Sequence, residues 1–247
     1  MKNLNIKPGI INLLFGCCLL LSFSSCLKKD NYSGPNASLE GTVFNEGSNK
    51  TAVQTCTGNF SIRLEQIDWS DAPAPQSIPI KIDGTYKNTK LFAGHYRVSI
   101  FGGAFWPSVP EEIDIASGTR HDFAVTPYLY LTNFTTELIG DSLKLNFNLE
   151  APIEGIPDIL DIQPYVNTTS IVGPGASINQ YSDARKLKPA DAPSWKWAEM
   201  SAEQKTPQII IPDLLRGRTF FVRVGVRFDD AQKNSNLSEV IKIEVPQ

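Results

Sequence analysis

Trp195-Lys196-Trp197 is the stretch of this chain whose residue types and spacing most directly suggest a chemistry. On an extended backbone both indoles would project to one side, and exposed rings in a row can stack on the apolar face of a sugar. The competing placement folds both rings back over the edge of a core, and the high average burial of tryptophan favours it. Trp106, in Phe101-Gly102-Gly103-Ala104-Phe105-Trp106-Pro107, offers the same choice between a platform and an aromatic turn packed on its own domain, and burial again favours packing. Trp69, between Asp68 and Ser70, is equally ambiguous.

Catalysis would need a constellation, and none is legible. His95 and His121 each sit at a strand entry. Glu111-Glu112 and Asp229-Asp230 are neighbours along the chain, so on a strand each pair divides between two faces and cannot work as one acid and base. No nucleophile elbow, phosphate loop, His-Glu-x-x-His or paired-cysteine zinc spacing occurs. Asp68 with Asp71, and Asp158 with Asp161, fall short of a calcium loop. The expectation is a non-enzyme with no catalytic residue, metal or cofactor, and hydrolysis would require carboxylates assembled from distant loops. With 23 Lys and Arg against 26 Asp and Glu, a formal net charge of −3, the chain is a poor match for nucleic acid.

The elements that position these residues begin after a leader. Lys2 and Lys7 precede an apolar run from Ile10 to Phe23 and then Ser24 and Ser25, the layout of a secretory signal over residues 1–25. The run is short of the ~20 residues that span a bilayer. Cys26, directly after the two serines, resembles the lipobox of bacterial lipoproteins, with Phe23 where that motif usually has Leu. The resemblance implies lipidation of Cys26. Lys28-Lys29-Asp30-Asn31-Tyr32 resembles the charged tail that directs Bacteroidetes lipoproteins to the outer face of the outer membrane, which implies a lipid-anchored cell-surface protein with a tether at 26–36. Cys17 and Cys18 would leave with the leader, so Cys26 and Cys56 remain and no internal disulfide is expected.

The length that follows suits two small domains, and the pattern is all-β: two antiparallel sandwiches in tandem, 37–126 and 127–247. In the first, Leu39 to Val43, Ile62 to Glu65, Ile78 to Ile82 and Tyr96 to Ile100 alternate apolar and polar residues between turns rich in Gly, Pro, Asn and Asp. Gly41-Thr42-Val43, Leu91-Phe92-Ala93-Gly94-His95-Tyr96 and His121-Asp122-Phe123-Ala124-Val125 resemble prealbumin-like or carboxypeptidase-regulatory-like modules, which implies that Tyr96 packs inward. In the second, Ser142 to Glu150 alternates without error. Ile211-Pro212-Asp213-Leu214-Leu215-Arg216-Gly217-Arg218-Thr219-Phe220 resembles the corner of a fibronectin type III or immunoglobulin-like domain. That implies inward Phe220, Val222, Val224 and Val226, with Phe220 in place of the corner tyrosine and its hydroxyl-to-backbone bond missing. A long segment rich in Gly, Pro, Ala and Ser, 168–208, interrupts the strands and is the natural place for a functional loop.

Asp141-Ser142-Leu143 is similar to the short O-glycosylation acceptor of Bacteroidetes exported proteins, and it also reads simply as a turn into a strand. Taken with the lipobox and both sandwiches, the chain resembles an uncharacterised family of Bacteroidetes surface lipoproteins that accompany SusC- and SusD-like glycan-uptake proteins. The resemblance implies an accessory factor for polysaccharide or oligosaccharide capture, with Trp195, Trp197 and Trp106 as the residues to supply stacking. The alternatives are a structural or interaction module docking on SusC/SusD-like partners, and a glycan hydrolase.

Overall fold

Strand formation follows the period of two. In β1 (Ala37–Asn45) and β10 (Ser142–Glu150) every second residue is buried, and Leu143, Leu145, Phe147 and Leu149 form one face of the second core. The computed structural model describes residues 33–47, 51–55 and 60–247; the leader, Cys26, the Lys28 to Tyr32 stretch and Cys56 lie outside them.

The first sandwich pairs two four-stranded sheets. One holds β1 next to β4 (Thr85–Leu91), with β7 (Thr119–Arg120) and β8 (Phe123–Val125) along its other edge. The second runs β3 (Gln76–Pro79), β2 (Phe60–Gln66), β5 (Gly94–Gly102) and β6 (Glu111–Ile115). Their inner faces close over Leu39, Val43, Ile62, Leu64, Tyr86 and Tyr96. In one respect the sheet departs from the antiparallel expectation: β7 and β8 run parallel to β1. The chain reaches them from β6, in the opposite sheet, and a crossover between sheets permits a parallel neighbour where a tight hairpin does not. Gly41 marks the closest approach. A Cβ there would lie 1.7 Å from the His121 carbonyl oxygen, to which the Tyr86 hydroxyl donates at 2.5 Å.

The second sandwich stacks β9 (Tyr130–Ile139), β10 and β12 (Gln208–Ile211) against a sheet of β11 (Ile159–Asn167), β13 (Thr219–Phe228), β14 (Ser235–Leu237) and β15 (Ile241–Glu244). Phe220, Val222, Val224 and Val226 all face this core. The segment 168–208 lies along β11. Leu187 and Trp195 make backbone bridges to Ile162 and Ile159, and one-turn helices form at Asn179–Ser182 and Ala202–Lys205. The second of these carries a capping box between Ser201 and Gln204. Tyr181, from the first, packs edge-on against Phe220 at 5.7 Å and donates its hydroxyl to the Asp213 carbonyl at 3.3 Å. A tyrosine from outside the corner thus supplies a hydroxyl-to-backbone bond beside the phenylalanine that occupies the corner.

Residues 35–247 pack as one unit. Two polar side chains from β13 and β14 join the sandwiches. The Asn236 amide donates to the Ala104 carbonyl and accepts from the Leu129 N–H, both at 2.9 Å. Arg223, fully buried, donates to the carbonyls of Ser238 and Val172 in the second sandwich and to the Thr55 carbonyl and Gln54 side chain of the first.

Candidate functional site

The chain leaves β5 through two successive glycines in the left-handed region, Gly102 (φ +80°) and Gly103 (φ +85°). A Cβ on Gly103 would meet the Phe105 ring at 2.3 Å, so only glycine permits this turn. The turn sends Ala104-Phe105-Trp106 toward the second sandwich. The Trp106 backbone N–H donates to the Thr126 carbonyl at 2.9 Å, the Tyr128 backbone N–H donates to the Ala104 carbonyl at 3.0 Å, and Phe105 bridges to Pro127. Trp106 then stands edge-on to Tyr128 at 5.6 Å, and Tyr128 edge-on to Phe228 at 5.1 Å. Its ring therefore does pack, but on the core of the second domain instead of its own.

Opposite this aromatic wall is the β13–β14 loop, which folds around Asp230. The Asp230 carboxylate accepts from the Gln232 and Asn234 N–H groups and from the Asn234 amide, and Lys233 sits at φ +55°. Between wall and loop is a pocket of about 330 Å³. A second pocket of about 510 Å³ continues over the outer face of β5, lined by Phe101, Ser61, Ser77 and Pro79. Both share Gly102, Gln232 and Asn234, so they form a single groove across the domain junction.

Phe101 is 51% exposed, with the Arg63 guanidinium 6.0 Å from its ring centroid and paired to Glu65 at 3.0 Å. The Trp106 indole N–H is buried without a hydrogen-bond partner, an arrangement that costs roughly 1–3 kcal/mol. Burial, with the Asp230 charge adding to it, raises the Tyr128 phenol above its ordinary range, so it stays protonated at neutral pH. The site can present aromatic faces, hydroxyls and amides to a ligand.

Of the three tryptophans singled out from sequence for stacking, Trp106 alone lines the groove. Trp195 and Trp197 are half-buried at the edge of the second core, and the Lys205 ammonium lies 4.4 Å from the Trp197 ring centroid. The backbone at Lys196 is extended and a 3-10 helix begins at Trp197, but both rings pack against the second core, the placement that burial favoured. Ser142 opens β10, half-buried, after a hairpin whose Asp141 pairs with Arg216 at 3.1 Å. Cys26 lies outside the described residues. His95 sits between Asp114 (2.8 Å) and Glu112 (3.6 Å), and His121 lies 3.0 Å from Glu111, on the surface of the first sandwich. No set of three or more metal-ligating side chains comes together among the described residues. Sequence reading missed Phe101, although the inward parity of Tyr96 and Val98 puts it on the wet face of β5, where an aromatic stands out. Gln232 and Asn234 carried no signal beyond that of a turn.

The fold and groove define a class, an all-β pair of sandwiches carrying a polar and aromatic cleft where they meet. Family models then place the chain: "Protein of unknown function (DUF3823) N-terminal domain" matches residues 37–126 and "Domain of unknown function (DUF3823_C)" matches 129–242. The chain belongs to the DUF3823 family. Among solved structures it is similar to a "putative carbohydrate binding protein" from Bacteroides uniformis, at 24% identity and a TM-score of 0.71, covering 85% of this chain and 100% of that one. A second B. uniformis family member matches at 21% and 0.70, covering 86% and 100%. One from Parabacteroides merdae matches at 18% and 0.68, with the same coverage. No curated protein matches.

Proposed function

We propose that this is a non-catalytic lipoprotein, anchored through Cys26 to the outer face of the outer membrane, that captures glycan for a polysaccharide-uptake system with SusC/SusD-like partners. The observation that carries the reading is the groove at the domain junction, which sets Phe101 and Trp106 among hydroxyl and amide groups with Asp230 as the one charge among the described residues of its lining. Aromatic faces with a few placed polar groups are the usual equipment of a saccharide-sized site. The lipobox-like Cys26 and the charged tail after it support the location, and the name borne by the B. uniformis relative agrees with the ligand class.

Affinity electrophoresis of the full chain against a polysaccharide panel tests the reading. At least one glycan should retard the protein, and Trp106→Ala with Phe101→Ala should weaken that binding about tenfold or more. Absence of binding across the panel, or binding indifferent to both substitutions, refutes the groove. Release of sugar from any polymer refutes the non-catalytic part, and Cys26→Ala should move the protein to a soluble fraction. The rigid junction built by Arg223 and Asn236 favours a second reading, a spacer that docks on uptake partners. That reading predicts co-purification in mild detergent even where no glycan binds.

A further inference from the structure

We infer that the groove takes a neutral glycan segment of at least two sugar rings, laid across both domains, and discriminates against uronate- or sulfate-bearing chains. This rests on the reading of the groove as a glycan site and names its ligand class.

Charge carries the first part. Among the described residues, no Lys or Arg side chain lines either pocket, and the sole charged group is Asp230. Its carboxylate is already engaged by two backbone N–H groups and the Asn234 amide, so it is a structural group of the loop. Two cations lie close by and each is paired, Arg63, beside the Phe101 ring, with Glu65, and Lys233 with Asp229. An anionic sugar would enter beside a fixed negative charge with no unpaired cation among the described residues of the lining to meet it, which disfavours it. What remains to meet a ligand is uncharged: the Ser61, Ser77 and Ser108 hydroxyls, the Tyr128 phenol and the Gln232 amide. Each both donates and accepts, as a sugar hydroxyl does.

Layout carries the second part. The larger pocket carries the exposed Phe101, the smaller carries Trp106 and Tyr128, and the pockets join through Gly102, Gln232 and Asn234. Phe101 and its serines belong to β5 and neighbouring strands of the first sandwich. Tyr128 and the Asp230 to Asn234 loop belong to the second. A single ring can reach one aromatic, whereas a chain of rings reaches both.

Calorimetry on the full-length protein in detergent tests this with neutral hexasaccharides (malto-, cello-, xylo- and mannohexaose), their monosaccharides, and hexameric oligogalacturonate and chondroitin sulfate. At least one neutral hexamer should bind at least tenfold tighter than both anionic hexamers and than its own monosaccharide. Its affinity should be unchanged between 50 and 500 mM NaCl, as a contact without ion pairing requires. Phe101→Ala and Trp106→Ala should each weaken it several-fold, and Gln232→Lys should raise the affinity for oligogalacturonate. Preferential binding of an anionic hexamer, lost in the Phe101→Ala variant, overturns the neutral class and leaves the glycan groove standing. Equal affinity for monosaccharide and hexamer overturns the two-ring span. Silence toward every sugar overturns both this inference and the reading on which it rests.

Discussion

Replacing Arg223 with Met tests whether the two sandwiches are one cooperative unit. Arg223 comes from the middle of β13 and is fully buried. Its Nε donates to the Ser238 carbonyl at 3.0 Å, and Nη1 donates to Thr55 at 2.8 Å and Val172 at 3.3 Å. Nη2 donates to Ser238 at 2.5 Å and to the Gln54 side chain at 3.3 Å. Methionine would retain much of the aliphatic stem but leave these carbonyls buried without their donors, at ~1–3 kcal/mol each. Removing the costly burial of the guanidinium offsets part of that, so a net loss of ~3–5 kcal/mol is expected. For a chain of this size, ~2–4 °C per kcal/mol puts the fall in Tm at about 6–20 °C. Calorimetry and urea titration followed by tryptophan fluorescence measure it. Because two of the acceptors, Thr55 and Gln54, belong to the first sandwich, the single transition should also separate into two. Arg223→Met within 1 kcal/mol of wild type, or a lower Tm with the transition still single, would refute the clamp.

Asn236→Ala leaves the Leu129 N–H without its acceptor and takes one of two donors from the Ala104 carbonyl, which keeps the Tyr128 N–H, for an expected loss of about 1–3 kcal/mol in urea unfolding. Gly41→Ala forces a methyl onto the His121 carbonyl oxygen, so the β1–β8 contact must open; a loss on the order of 3 kcal/mol, or insoluble expression, is expected. His95 should titrate above its ordinary value in an NMR pH series. The hydrogen bond that the His95 ring donates to Asp114 is the main cause and Glu112 adds to it, so Asp114→Asn should bring the midpoint down. With the folded value raised, protonated His95 favours the fold fully below about pH 6.5. That contribution is lost as pH rises through the raised value, and a wild-type midpoint at or below 6.5 would contradict the pairing.

The strands were legible because their signal is local. In β10 the expected bounds, Ser142 to Glu150, are those observed, and Tyr96 turns inward as the Gly94-His95-Tyr96 motif implies. Phe101 was also readable as the one large apolar residue on the wet parity of β5. Arg223 shows where the same rule stops. It alternates with the inward Val222 and Val224 and so reads as solvent-facing, yet it is buried, because Gln54 and Thr55 of the other sandwich cover that face. Likewise Trp195-Lys196-Trp197 is extended at Lys196 as a platform requires, yet both rings pack on the second core, a contact that the spacing of the two residues does not encode.

From its sequence alone this chain can be read as all-β, with sandwich strands whose inner faces are set by alternation, because a period of two depends only on neighbours along the chain. Where Trp106 packs, what covers Arg223 and which loop faces Phe101 were settled only by the tertiary structure. Asp230, Gln232 and Asn234 reach the groove from more than a hundred residues beyond Phe101, brought there by the docking of one sandwich on the other. Contacts between distant segments are decided by which surfaces exclude water together, and no local pattern encodes that choice.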